Sequence, residues 1–462
     1  MKHRLFKHFG LTDFILLTAY LVIVVYLFFP GFLTVDSVNQ LKIGRSGHFP
    51  DNHPPLFSLF WGLTDKVIEG PAPLLFMQIL MLIGSLVLLA RVTVGLRSRL
   101  RYLFYGLLFF PPLMGVIGVI WKDIWMQNLF LLGFGLTILT AQKTGRSKSI
   151  YLILALFCLF AAVTTRHNAM AGILPMCWLL AYFFIDNYKL SKLKKGLLSF
   201  VGGIVILIAI LFSNSLFNKA IVDQEVNFSQ FMMNFDLSGM STLRNENLYD
   251  SGYEKLFLFQ PTSEEIRARF TSRYHACLYR PCKVGDVETS PMLALTDSSY
   301  DLKKLNENWK TTIKEHPITY LHHKVLVSQH ILGLSKKDDV WGPTLRIPIL
   351  KNQLGYTHKD TSFKKSFRDL IFDLSKTPLY SAWLYLIVAF AALIGIILAW
   401  SFKLIPSQKG AIVTSLLLSG IFYQGSLIIG ATSPDFRYSL WMIICVVLSM
   451  IITLVPHVKA AQ

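Results

Sequence analysis

Apolar and polar residues segregate along this chain into long blocks. Runs of about 20 apolar residues, the length a helix needs to cross a hydrocarbon core, recur at 14–33, 73–91, 102–120, 124–141, 150–164, 170–186, 196–215, 379–401, 410–429 and 438–455. The run 102–120 carries Pro111-Pro112, and 150–164 is shorter than the rest. The pattern predicts ten membrane-spanning helices. Seven lie in an N-terminal module, 1–215, whose first loop is 34–72, and three in a C-terminal module, 379–462. The polar segment 216–378 between them is too long for a connector, since structureless loops beyond about 15 residues are uncommon. It holds helix-like stretches at 306–334 and 362–376, as well as Trp309 and Trp341. In the second stretch Phe363, Phe367, Leu370, Ile371 and Leu374 recur at helical spacing, which predicts an amphipathic helix on the outer leaflet. The expected fold class is an all-α polytopic membrane protein with a mainly helical extracytoplasmic domain inserted before the last three spans.

Charge orients the bundle. The chain has 462 residues, of which 53% are hydrophobic and 16% charged, with a net charge of +18; a soluble domain has roughly a quarter charged. The first apolar run is too long for a signal-peptide core and lacks a small-x-small cleavage site, so it reads as a retained span. With the basic N-terminus in the cytoplasm, the inward segments gather Lys2, Arg4 and Lys7, then Arg91, Arg97, Arg99 and Arg101, then Lys143, Arg146 and Lys148. Lys189, Lys192, Lys194, Lys195, Lys403, Lys409 and Lys459 follow, against only Asp13 and Asp186. The segment 216–378 carries 22 Lys and Arg against 19 Asp and Glu. This is the positive-inside pattern. It places both termini in the cytoplasm of a multi-pass cell-membrane protein, and it accounts for the excess charge without nucleic acid as a partner.

Five cysteines make no disulfide scaffold. Cys158, Cys177 and Cys445 lie in apolar runs and read as small hydrophobes. Cys277 and Cys282 sit close together in a polar stretch with no zinc-ligand spacing; facing an oxidising side, they would form a local disulfide.

The candidate chemistry lies in loops that this topology puts on the outer side. The first loop, VDSVNQLKIGRSGHFPDNHPPLFSLF, carries Asp36, Asp51 and His53. Lys122 and Asp123 occupy the short IWKDIW turn, Arg166, His167 and Asn168 the TTRHNAM turn, and Asp435, Arg437 and Tyr438 the late PDFRY turn. Each has an ordinary structural role as an alternative. Asp36 would cap a helix, and Asp51 would form a turn before Pro54-Pro55. His53 would pack in its loop, Lys122 would snorkel or pair with Asp123, Arg166 would anchor at the interface, and Arg437 would pair with Asp435. What singles the residues out is that four short turns on one face all carry charge. Carboxylates beside several cations at a membrane face suit transfer of a sugar from an anionic lipid. A carboxylate takes the proton of an attacking hydroxyl, and Lys, Arg and His stabilise the departing phosphate. No Walker, GxGxxG, HExxH or CxxC pattern is present. No cofactor is required; the acids would permit a divalent metal and nothing demands one.

An acid after the first span, HPPL before the next helix, the WKD and RHN turns, a large late external segment and the PDFRY turn together resemble the GT-C superfamily of membrane glycosyltransferases. The resemblance is closest to the bacterial branch of protein O-mannosyltransferases and lipid A aminoarabinose transferases. It covers the first 170 residues and about the last 90, and the external segment only loosely, through WKTTIKEHPITYL. It implies a polyprenyl-phosphate-linked sugar as donor, an extracytoplasmic acceptor, and chemistry at the outer face of the lipid bilayer. Asp36 matches the family's base and His53-Pro54-Pro55-Leu56 its turn; Arg437 and Tyr438 resemble the late Arg-Tyr beside its active site. Many members have Asp-Glu in the first loop, where this chain has Asp36-Ser37. The second carboxylate is therefore expected to be Asp51, with Asp123 as the alternative. His53, Lys122, Arg166 and Arg437 would bind the donor phosphate; Asp123, His167, Asn168, Asp435 and Tyr438 would support them. Three other readings are a transporter or flippase of lipid-linked glycans, which would carry charges near mid-membrane, an O-antigen-type ligase or polymerase, and a structural membrane protein.

Overall fold

The computed structural model describes residues 9–186, 188–272, 275–284, 287–335, 347–433 and 435–456. Lys2, Arg4, Lys7, Trp341, Pro434 and Lys459, used above, lie outside them. Among the described residues eight helices are long and apolar enough to cross a membrane. They belong to α1 (Leu11–Phe28), α4 (Ala72–Thr93), α7 (Lys122–Ala141), α8 (Gly145–Val163), α10 (Lys192–Ile221), α16 (Ala382–Ser401), α17 (Ser407–Gly430) and α18 (Phe436–Leu454). The run at 170–186 forms a shorter apolar helix, α9 (Ala169–Ile185), interrupted by Pro175. Serines of α17 answer the backbone around that proline: Ser419 donates to the Gly172 carbonyl at 2.6 Å and Ser415 to the Pro175 carbonyl at 2.8 Å.

The run 102–120 is not one helix. It breaks into α5 (Arg101–Gly106), a single 3₁₀ turn, α6 (Pro111–Met114) and an irregular stretch to Trp121. Proline lacks the N–H an inner helical turn needs, so Pro111-Pro112 can open a helix but not continue one. The irregular backbone is enclosed by protein: Leu113, Val116, Ile117, Val119 and Ile120 are buried. Buried Gln78 of α4 donates to the Ile117 carbonyl and, at 3.1 Å, to the Val119 carbonyl. Non-helical backbone inside a bundle survives only when its polar groups are answered in this way.

The freed strand aligns the first loop. Phe32 pairs with the 118–120 backbone, its N–H on the Gly118 carbonyl at 2.9 Å and its carbonyl accepting from Ile120 at 3.0 Å. On the other side Leu33 exchanges bonds with Pro348 and Leu350 at 3.0 and 3.2 Å. The loop then forms two helices, α2 (Val35–Ser46) and α3 (Leu56–Asp65). They meet at Gly44 and Gly62, where a Cβ on either would run into the other's backbone.

The inserted segment has its own core, built on α11 (Ser229–Arg244), α12 (Ser263–Arg269) and α13 (Ser299–Glu315) around Leu237, Leu256, Ile266, Met292 and Leu305. A two-stranded ribbon, β1 (Cys282–Val284) and β2 (Val287–Thr289), follows the Cys277–Cys282 disulfide. The stretch 306–334 is two helices, with α13 starting earlier and ending where Pro317 begins α14 (Pro317–Ile331). Buried Asp236 of α11 pins both, accepting from Trp309 at 3.1 Å, His323 at 3.0 Å and Lys324 at 2.6 Å. The amphipathic stretch is α15 (Ser362–Ser375), with Ile371 buried and Phe363 and Leu370 exposed.

Replacing Gln78 by Leu strands the buried Ile117 carbonyl, at about 1–3 kcal/mol, and leaves the Val119 carbonyl with only the Trp121 N–H. Gln78→Leu in detergent is expected to unfold well below the wild-type temperature, whereas Gln142→Leu, at the loop end of α7, should cost less.

Candidate functional site

Asp36 stands at the second position of α2. It does not cap the helix; Thr34 does, its hydroxyl accepting from the Ser37 N–H at 3.4 Å. The same Thr34 hydroxyl accepts from the Trp121 indole at 2.9 Å, so the ring that precedes Lys122 also fixes the start of α2. The Asp36 side chain is left 49% exposed.

Its partner comes from the other end of the chain. Arg437, in the first turn of α18 and only 7% exposed, bonds Asp36 at 2.5 Å. Its Nε lies 3.1 Å from Asp435 and 3.6 Å from Asp123, and its guanidinium rests 4.3 Å over the Trp121 ring. Asp435 also caps α18, accepting the Arg437 N–H at 3.2 Å. Asp123, fully buried, forms an ion pair with Arg166 at 2.5 Å. Arg166 in turn lies 4.4 Å over Tyr438, whose ring also faces Arg437 at 5.3 Å. Each acid thus meets a guanidinium, as desolvated charges must. Asp123 pairs with Arg166 and Arg437 rather than with its neighbour Lys122.

Lys122 is placed differently. It meets no carboxylate within 4 Å among the described residues, and its Nζ lies 2.6 Å from His53 Nδ1. Burial first, then Lys122, push His53 well below the ordinary imidazole value, so the ring is neutral and accepts the ammonium proton. The HPPL turn reaches this place because the Leu56 N–H bonds the Thr164 carbonyl at 3.3 Å, just before Arg166. Burial would raise the Asp36 carboxyl, but Arg437 holds it below the ordinary carboxylate range, with Lys122 and His53 adding to the effect.

The remaining expected residues fall at the edge. Asp51 does not join the ionic cluster. Its two carboxylate oxygens accept the Val226 and Asn227 N–H groups at 2.7 and 3.3 Å, tying the first loop to the start of the inserted segment. This is a tie between segments, beyond the turn role that its place before Pro54-Pro55 suggests. His167 stacks on Phe228 at 6.1 Å between ring centres. Burial, then Lys122 and Arg166, push it down to about 4. Asn168 opens α9 without a side-chain cap bond. Trp121 was not among the expected site residues, although its place in IWKDIW, one residue before Lys122, was a signal for it. His275 carried no such signal: it reaches the region through its N–H bond to the Thr432 carbonyl at 3.0 Å. Among the described residues no three His, Cys, Asp or Glu side chains gather to hold a metal ion.

Comparison of the chain with family models, with curated proteins and with solved structures finds no match.

Two outcomes are expected. Asp123→Asn leaves buried Arg166 without its carboxylate, while Arg437 keeps Asp36 and Asp435, and breaking such a buried pair costs about 3–5 kcal/mol; Asp36→Asn, at a half-exposed position, should cost much less. Thermal unfolding of both variants checks the order. His53 and His167 stay neutral when folded but take up protons when unfolded, below about 6.5. Their contribution to stability is full above that value and falls as pH drops below it, for His167 down toward about 4. His167→Gln should therefore lose less stability over that window than the wild type.

Proposed function

We propose that this chain is a membrane glycosyltransferase that moves a sugar from a polyprenyl-phosphate donor to an extracytoplasmic acceptor. The observation that carries the reading is the half-exposed Asp36 carboxylate beside the Lys122–His53 pair, which has no carboxylate within 4 Å among the described residues. A leaving phosphate needs a cation that is not already neutralised, and an attacking hydroxyl needs a nearby carboxylate.

The step is a displacement at the anomeric carbon. The acceptor oxygen forms a bond to C1, and its proton passes to Asp36. The bond from C1 to the phosphate oxygen breaks, and the electron pair leaves with the lipid phosphate, whose charge Lys122 and His53 receive. A single displacement inverts the anomeric centre. Arg437, held by Asp123 and Asp435, keeps Asp36 in place, and His53 holds Lys122. In this reading Asp51 is a clamp between the first loop and the inserted segment, and the supporting carboxylate is Asp123.

The topology that goes with this has ten crossings. It counts the eight long helices, α9 and the broken segment from α5 to Trp121, with both termini in the cytoplasm and 222–381 outside. The basic segments at the far ends of the helices support that orientation, and the Cys277–Cys282 disulfide suits an oxidising compartment.

Asp36→Asn is expected to abolish sugar transfer by membranes supplied with polyprenyl-phosphate sugars, while the protein stays inserted and folded; near-normal transfer would remove Asp36 as the base. Single cysteines at 36, 122, 166 and 435 are expected to react with an impermeant maleimide only from outside intact cells. Labelling of any of them only from the cytoplasmic side would overturn the topology and the reading with it.

A further inference from the structure

At the end of the bundle away from the ionic cluster, α1 and α4 border a crevice of about 330 Å³. Leu17 and Leu21 of α1 and Leu80, Gly84 and Val87 of α4 line it, and Arg91 stands at its polar end. Its position follows from the helix ends. Gln142, just past α7, donates to the Val92 carbonyl at 2.7 Å, so Arg91 lies beside the terminus of α7 opposite to Lys122.

Two features set the crevice apart from an ordinary gap between helices. Gly84, midway along α4, is exposed and a Cβ on it would meet nothing within 4 Å, so the slot is open at its side. Arg91 is half-buried and makes no hydrogen bond or ion pair among the described residues. The only acid of α1, Asp13, is fully buried and bonded to Arg101 at 2.7 Å. A cation in the last turn of a helix is favourable by itself, and an arginine near a membrane end often snorkels. Those effects explain a charge at this height but not an open apolar slot leading up to it.

We infer that the crevice holds an anionic phospholipid. One acyl chain lies along Gly84 between α1 and α4, and the headgroup sits on the Arg91 guanidinium. The occupant is a bilayer lipid because two membrane helices form the walls. It is an anionic one because the charged residue lining the crevice, Arg91, meets no acid among the described residues, which favours a headgroup with net negative charge. The inference does not depend on the glycosyltransferase reading, since no residue of the cluster takes part.

Native mass spectrometry of the purified full chain, equilibrated with equal amounts of phosphatidylglycerol and phosphatidylcholine, tests it. The wild type should retain phosphatidylglycerol in preference. Arg91→Gln should lower that preference about fivefold, the equivalent of about 1 kcal/mol for one basic residue near an anionic lipid. Gly84→Leu and Gly84→Phe, which fill the slot, should lower retention of both lipids. Equal retention of the two lipids by the wild type would overturn the proposal. So would unchanged retention in Gly84 variants with wild-type helical circular dichroism. An equal loss of preference in Arg146→Gln would assign the effect to the basic surface as a whole. Displacement of the lipid by excess inorganic phosphate would make the site one for free anion.

Discussion

The structure of the site face depends on one buried carboxylate. Asp123 is excluded from solvent, and its two nearest cations come from distant parts of the chain, Arg166 from the α8–α9 turn and Arg437 from the start of α18. Arg437 carries the link onward to Asp435 and Asp36. Charges taken out of water are tolerable only when each is partnered, and the loss of one member strands the rest. Four segments are therefore held in a single arrangement. The rings of Trp121 and Tyr438 wall in the guanidiniums and offer their faces to the cations.

The network has its position because one membrane segment is not a helix. The proline pair stops the run that begins at Arg101, and the extended stretch that follows offers a free edge to Phe32. That edge continues through Leu33 to Pro348 and Leu350, so the first loop is bracketed by the bundle on one side and the inserted segment on the other. Asp51 adds a second tie, to Val226 and Asn227. Asp36 follows three residues after Leu33, on a helix whose cap is fixed by Thr34 and Trp121. A catalytic or binding carboxylate needs this kind of support from backbone and neighbours.

Much of the bundle was legible in the sequence, because length and apolarity suffice to identify a membrane helix. The break at Pro111-Pro112 was visible as an oddity, but its outcome depended on Gln78, 33 residues away, which no local pattern connects to it. The helix α2 was legible only as the short helix that Asp36 would cap; the cap is Thr34, and because the helix carries no apolar stripe, Thr34, Trp121 and the α3 contact hold it. The membership of the ionic cluster was readable from the four charged turns, as was the Arg437–Asp435 pair, while the partners of Asp36, Lys122 and Asp123 were not. Lys122 and Asp123 are adjacent in sequence, yet successive helical residues point apart, so one turned to His53 and the other to Arg166. Asp51 read as an acid of the site or as a turn residue before Pro54-Pro55; that it ties two segments together was not legible, because its two backbone partners lie 175 and 176 residues away.

The three cations of the cluster are not equivalent. Arg166 and Arg437 face Asp123, Asp435 and Asp36 at 3.6 Å or less, so an incoming anion would have to displace a carboxylate to reach them. Lys122 faces a neutral imidazole, which can rotate away or take up a proton and leaves the ammonium free to change partners. The arginines are suited to holding geometry, and the lysine with its histidine to meeting a charge that arrives and departs. Arginine's planar fork favours fixed carboxylate pairs, whereas a compact ammonium on a flexible stem suits a transient one. That division places the exchangeable positive charge beside the one acid of the cluster whose side chain is open to solvent, Asp36.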